Sequence, residues 1–154
     1  MKRVLISDEV CLRALDRFAL ETDLGVDYRP GLSPGELKTI IGDYAALVVR
    51  SQTKVTAAVI EAATRLEVIG RAGTGVDNVD LEAATRRGIV VMNVPGGNTV
   101  SAAEHTMAML LAMTRAIPAA DRSMRAGRWE RSRFVGVELD GKILGVLGMG
   151  RVGR

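Results

Sequence analysis

Between Val4 and Met92 the chain alternates short aliphatic runs with longer stretches of mixed polarity. This is the pattern of parallel strands buried on both faces and joined by helices. Val4-Leu5-Ile6 predicts a first strand, a helix follows over residues 9–20, and Val26-Asp27-Tyr28 predicts a weaker second strand. Ser33-Pro34-Gly35-Glu36 opens the next helix, with Ser33 as N-cap and Pro34 at the first helical position, where its missing N–H is no loss. Ala46-Leu47-Val48-Val49 is the third strand and stops at Arg50-Ser51; Thr56 caps a helix running to about residue 64. Glu67-Val68-Ile69-Gly70 is the fourth strand, a helix over residues 81–87 is closed by Gly88, and Ile89-Val90-Val91-Met92 is the fifth. Strands joined by helical crossovers in this way predict an α/β fold, a flavodoxin-like or Rossmann-like parallel sheet.

The rhythm breaks at Pro95-Gly96-Gly97-Asn98, which places a domain boundary between residues 1–97 and residues 98–154. Ser101-Ala102-Ala103-Glu104 has the form of a capping box at the start of a long helix. That helix is rich in Ala, Met and Leu on more than one face, so burial on several sides is expected. Pro118 begins a second helix and Gly127 ends it. After Trp129 the chain loops, and Ile143-Leu144-Gly145-Val146-Leu147 predicts the first strand of a second Rossmann unit.

That run leads into Gly148-Met149-Gly150-Arg151-Val152-Gly153, a G-x-G-x-x-G sequence. In a dinucleotide site Gly148 would allow the tight turn, Gly150 the close approach of a pyrophosphate, and Gly153 the packing of a helix on the strand. A second chemical signal lies at strand ends, where open parallel sheets bind their ligands. Arg50-Ser51 and Arg71-Ala72-Gly73-Thr74-Gly75 stand there, and guanidinium groups with hydroxyls and glycine amides suit a carboxylate or phosphate. The competing reading pairs each arginine with a nearby helix acid. Asp8, after the first strand, raises a phosphoacceptor receiver domain of the same topology. Such a domain needs an acid after the third strand and a lysine after the fifth; Arg50 and Asn93 stand there, and that reading is excluded. His105, the single histidine, sits in the Ala/Met-rich helix and reads as a packing or interface residue. Cys11 reads as a small buried residue of the first helix. No Cys/His spacing supports a metal site.

Composition narrows the partners. Aromatics make up 3% of a chain that is 47% hydrophobic, so the core rests on aliphatic side chains. The net charge of +3 is small, but Arg115, Arg122, Arg125, Arg128, Arg131 and Arg133 cluster against Asp121 and Glu130. With only Trp129 and Phe134 available to stack on bases, this run reads as a solvated helix face, and no nucleic-acid partner is expected. A lone cysteine excludes an internal disulfide, the start MKRVLISDEV is too acidic and too briefly apolar for a signal peptide, and the apolar run near Met107 is too short to cross a bilayer. A cytoplasmic protein without a membrane partner is expected.

Leu47 to Ser51, Gly70 to Asp80, Asn98 to Glu104, Trp129-Glu130-Arg131 and Gly145 to Arg154 together resemble the D-isomer-specific 2-hydroxyacid dehydrogenases, and among them the enzymes that oxidise 3-phospho-D-glycerate. The resemblance runs from about Val4 to Arg154. It implies NAD as cofactor, a small anionic 2-hydroxy acid as substrate, and two domains with the active site in the cleft between them. Residues 1–97 would then be a substrate-binding domain lacking its C-terminal return, and residues 98–154 the start of the NAD-binding domain. It further implies that Arg50, Ser51, Arg71, Gly73 and Asn98 line the substrate side, and that Thr74, Arg151 and Val152 approach the cofactor with Gly148, Gly150 and Gly153 beneath its pyrophosphate. The helix after Asn98 would bridge the domains and help form a homo-oligomer, a dimer or tetramer. The family's catalytic Arg, Glu and His all lie downstream of the glycine motif, so no catalytic residue is expected within residues 1–154 and the chain alone is expected to be inactive. The alternative is a non-catalytic module of the same build, sensing a ligand or dimerising through the Ala/Met-rich helix.

Overall fold

The computed structural model describes residues 1–154, the side chain of Leu12 excepted. Two compact units divide it, Met1–Gly97 and Asn98–Arg154. In the first unit the elements run β1 (Lys2–Ile6), α1 (Leu12–Ala19), β2 (Leu24–Tyr28), α2 (Pro34–Ile40), β3 (Ala46–Val49), α3 (Ala57–Ala62), β4 (Val68–Arg71), α4 (Leu81–Arg86) and β5 (Val90–Met92). The five strands are all parallel in the order β2-β1-β3-β4-β5. This is the doubly wound order whose direction of winding reverses between β1 and β3.

Side-chain alternation along the strands divides the sheet into two faces. Leu5, Leu47, Val49 and Ile69 point to one face and are fully buried with Leu37, Ile41, Val59, Ile60, Ala83 and Ala84 from the α2–α4 side. The other face carries Val4, Ala46, Val48, Val68 and Gly70, which line a groove together with Phe18 of α1 and Leu24. At the β5 end this second face is open: Val90 and Met92 are exposed while Val91 between them packs toward the core. The expected burial on both faces therefore holds for β1 and fails at β5, because α2, α3 and α4 all contribute to the same side.

Local chemistry explains the helix ends. Ser33 accepts from the Glu36 amide while the Glu36 carboxylate accepts from the Ser33 amide, a complete capping box with Pro34 behind it. Asp80 caps α4 by accepting from the Ala83 amide at 2.9 Å, and Gly88 leaves the helix at φ +67°, a conformation open to glycine without strain. Helix α1 starts later than the expected residue 9. Cys11 stands at its N-cap position and is exposed rather than buried, since it precedes the first turn instead of facing inward from it.

The second unit contains α5 (Thr99–Thr114) and α6 (Ile117–Arg125). Three expectations are corrected here. Helix α5 begins at Thr99 with Asn98 in the N-cap position, so Ser101 lies inside the first turn; its hydroxyl donates to the Asn98 carbonyl and forms no capping box. No residue of α5 is buried, and Met107, Met109, Leu111 and Met113 are exposed, so the second unit by itself leaves much of the apolar surface of this helix uncovered. The third is the strand expected at 143–147. The segment is irregular and Ile143 and Leu147 are fully exposed, for it has no hydrogen-bonding neighbour and a parallel strand exists only in a ladder. Ala116, at φ +51°, turns the chain between the helices, and Pro118 sits in the first turn of α6 as expected. Among the described residues no helix is long and apolar enough to cross a membrane.

Candidate anion site at the strand ends

The carboxyl ends of β1, β3 and β4 carry a cluster of polar residues, with Ser7, Asp8 and Thr53 buried among them. Arg71 is the last residue of β4 and lies opposite Val49 in the register, so the loop that follows β3 and the arginine that ends β4 are neighbours across one ladder. A single residue ties them together. The Asn78 side chain, 4% exposed, accepts from Arg71 Nε at 2.8 Å and donates through Nδ2 to the carbonyls of Arg50 and Thr53, both at 2.7 Å. Its own backbone is fixed too, since the Val55 amide donates to the Asn78 carbonyl at 2.8 Å.

Arg71 is thereby held in one orientation. Its Nη2 reaches the exposed Asp77 carboxylate at 3.5 Å, a loose pairing beside a side chain that is itself 11% exposed. Gly73 completes the arrangement: a Cβ at that position would lie 2.6 Å from Arg71 Nη1, so a side chain there would push the end of the guanidinium aside. The loop beyond is secured from β5, with the Val94 amide donating to the Gly73 carbonyl and Asn93 Nδ2 to that of Thr74. Arg50 behaves differently. It is exposed, its Nη1 donates to the Glu9 carbonyl at 3.3 Å, and among the described residues no carboxylate pairs with it. Ser51 and Thr74 are exposed beside these arginines in sequence.

The first unit thus brings together Arg50, Ser51, Arg71, Gly73 and Thr74 at one edge of the sheet. Two guanidinium groups, of which only Arg71 has a carboxylate within ion-pair distance and that one loosely, suit a small anion carrying a carboxylate or phosphate. Sequence reasoning misses the two residues that organise this edge. Asn78 is hidden inside the Gly70 to Asp80 motif, and Asp8 suggests only a phosphoacceptor. The Asp8 carboxylate, 2% exposed, instead accepts from the amides of Arg50 (2.6 Å), Gln52 (3.2 Å) and Thr53 (3.1 Å) and from the Thr53 hydroxyl (2.5 Å). Its position directly after a buried strand is the available signal.

Asn98, Gly148, Gly150, Arg151, Val152 and Gly153 belong to the second unit. Gly148 adopts φ +104°, which only glycine takes readily, so the expected tight turn is present. A Cβ on Gly153 would fall 1.9 Å from the Gly148 carbonyl oxygen, so this glycine closes the turn on itself rather than packing a helix on a strand. A Cβ on Gly150 would meet nothing within 4 Å, so the backbone there faces open space. His105 is exposed on α5. The arginine run is partly neutralised locally, by Arg125 on Asp121 and by Arg128 and Arg133 on Glu130. The Ser123 hydroxyl, followed by the Arg133 and Arg128 charges, holds the Glu130 carboxyl below the usual carboxylate range.

Residues 4–137 match the family described as D-isomer specific 2-hydroxyacid dehydrogenase, catalytic domain. The D-3-phosphoglycerate dehydrogenase of Archaeoglobus fulgidus is 54% identical over 151 residues, which make up 98% of this chain and 28% of the relative. The human D-3-phosphoglycerate dehydrogenase is 54% identical over 156 residues, 100% of this chain and 29% of its own length. The chain therefore spans under a third of these relatives. Among solved structures, the TT0316 protein from Thermus thermophilus superposes with a TM-score of 0.90 at 36% identity, covering 98% of this chain and 50% of that one.

Proposed function

Because the chain belongs to the D-isomer specific 2-hydroxyacid dehydrogenase family, we propose that it serves the NAD-dependent oxidation of 3-phospho-D-glycerate to 3-phosphohydroxypyruvate, the first step of the phosphorylated route to L-serine. The observation that carries this reading is the pair of arginines at neighbouring strand ends, locked together through Asn78. In it Arg71, held against Gly73, and Arg50, with the Ser51 hydroxyl, receive the negative groups of the substrate, and Asn98 completes the substrate side. Residues 1–97 act as the substrate-binding domain and residues 98–154 as the opening of the NAD-binding domain. Thr74, Arg151 and Val152 approach the cofactor, and Gly148, Gly150 and Gly153 shape the turn beneath its pyrophosphate. NAD, when bound, supplies the nicotinamide ring that accepts the hydride from C2 of the substrate.

What this chain's own residues do is bind and orient. The oxidation also needs a group to take the hydroxyl proton. The resemblance implies that the residues that do so lie downstream of the glycine motif Gly148–Gly153. Residues 1–154 alone are accordingly expected to be inactive, since losing a positioned proton-transfer group costs about 10²–10⁴-fold in rate. A homo-oligomer, dimer or tetramer, and a cytoplasmic setting belong to the same proposal; the exposed Met107, Met109 and Met113 of α5 support the first and the lone, exposed Cys11 the second.

The test is a dehydrogenase assay on the polypeptide of the whole reading frame, with NAD and NADP, against 3-phospho-D-glycerate, D-glycerate and D-lactate. The proposal expects the phosphorylated acid to have the highest kcat/KM and NAD to be preferred. Equal or better turnover of D-lactate would assign the site to an unphosphorylated acid.

A further inference from the structure

The loop that presents Arg50 and Ser51 is built around a buried negative charge. Asp8 stands at the tip of β1, beside the point where the winding of the sheet reverses, and its carboxylate is 2% exposed. Four loop donors from three residues converge on it: the amides of Arg50, Gln52 and Thr53, and the Thr53 hydroxyl. The Thr53 hydroxyl is also within 3.0 Å of the buried Ser7 hydroxyl, which joins the loop to the end of β1. Amides of one short loop converging on a single point resemble an anion-binding nest. Here the anion is internal. Asp8 takes the amides on both sides of Ser51 and leaves that of Ser51 itself.

Packing does not require this carboxylate. A buried charge is costly to desolvate, and an apolar side chain could fill the same volume but would leave the loop donors that converge on Asp8 without an acceptor. What the charge adds is direction. Charge-assisted hydrogen bonds to donors on one short loop fix its backbone in a single conformation, and they fix it before any ligand arrives. Asn78 braces the same loop from the opposite side through the Arg50 and Thr53 carbonyls. The Arg50 peptide is therefore held at its amide by Asp8 and at its carbonyl by Asn78, while the Arg50 side chain stays exposed.

We propose that Asp8 is a positioning residue for the substrate anion, holding the Arg50–Ser51 segment in its binding conformation through the amides of Arg50, Gln52 and Thr53. The inference rests on the reading of this edge as the substrate site. It makes a prediction of sign. A buried carboxylate near an anion site repels the ligand, so removing its charge strengthens binding if repulsion dominates and weakens binding if positioning dominates. Placement behind the loop, with every loop bond directed inward, makes positioning the dominant effect.

The experiment uses the polypeptide of the whole reading frame, with 3-phospho-D-glycerate and NAD varied separately. Asp8→Asn is expected to raise KM for the acid by about tenfold or more, as loss of one charged hydrogen bond implies. KM for NAD and kcat are expected to change much less. Thr53→Val, which removes the hydroxyl and keeps the volume, is expected to raise the same KM by a smaller factor, and it carries the test if Asp8→Asn does not fold. An unchanged or lowered KM for the acid in the variants that fold overturns the inference, and so does a uniform loss affecting kcat and both KM values alike. Arg50→Ala separates the two levels of the account. If it leaves KM for the acid unchanged, the anion-site reading itself has failed. If it raises that KM while the Asp8 and Thr53 variants do not, only the positioning role has.

Discussion

Two stretches of this chain are written almost alike and fold differently. Val68-Ile69-Gly70-Arg71-Ala72-Gly73-Thr74-Gly75 and Ile143-Leu144-Gly145-Val146-Leu147-Gly148-Met149-Gly150 each set an aliphatic run before a glycine-rich turn. The first is a strand with β3 on one side and β5 on the other, and Ile69 is fully buried. The second is irregular, with Leu147 fully exposed. Aliphatic content alone does not make a strand. A ladder on each side satisfies the backbone and a helix layer covers the side chains, and only the first stretch has both. The consequence reaches the chemistry. Gly73 serves a guanidinium that buried neighbours hold in place, whereas the Gly148 turn is shaped solely by its own backbone.

The largest test of this contrast is a pair of substitutions in the 154-residue chain. Ile69→Ala should lower unfolding stability by about 2–5 kcal/mol, the cost of a cavity in a close-packed core, whereas Leu147→Ala should stay within about 0.5 kcal/mol. Urea denaturation followed by circular dichroism reads both, and comparable losses would contradict the contrast. Asn78→Ala comes next. It strips the Arg50 and Thr53 carbonyls of a donor and Arg71 of an acceptor, at a cost of about 1–3 kcal/mol, and the same urea midpoints measure it.

The smallest effect lies at the opposite edge of the sheet. Arg3 donates to Asp27 at 2.6 Å and Tyr44 donates to the same oxygen at 2.8 Å, and together they hold the Asp27 carboxyl below its ordinary range. A carboxyl with a depressed folded pKa contributes stability that is present above the unfolded value and lost as pH falls through the folded one. The partners are 46% and 38% exposed, so solvent and salt screen the pair and the contribution is small. Arg3→Met should move the Asp27 titration midpoint upward in a carboxyl-detected NMR experiment; an unmoved midpoint would show that the arginine is not the cause.

Much of the first unit is legible in the sequence because its signals are local. Ser33 with Glu36, Gly88 after a helical run, and short aliphatic stretches at regular intervals specify helix ends and strands without distant help. The failures share a cause in what lies beyond sequence neighbours. Ser101 and Glu104 have capping-box spacing, yet the helix starts at Thr99 and the hydroxyl turns back to a carbonyl. The apolar character of α5 foretells burial, but burial needs a partner surface that residue types cannot reveal. Arg50 and Arg71 stand out by their place at strand ends. Asp8 and Asn78 do not, because their roles depend on β1 lying beside β3 and on a loop folding back across two strand ends.

The central claim is that Arg71, fixed by Asn78 and accommodated by Gly73, receives the substrate's anionic group. Steady-state kinetics of Arg71→Lys in the polypeptide of the whole reading frame test it most directly, because lysine keeps the charge and loses the planar fork. The account predicts that KM for 3-phospho-D-glycerate rises by about tenfold or more while KM for NAD stays within about twofold, the signature of a lost charged hydrogen bond on the acid side alone. An unaltered KM for the acid in a correctly folded variant would contradict it.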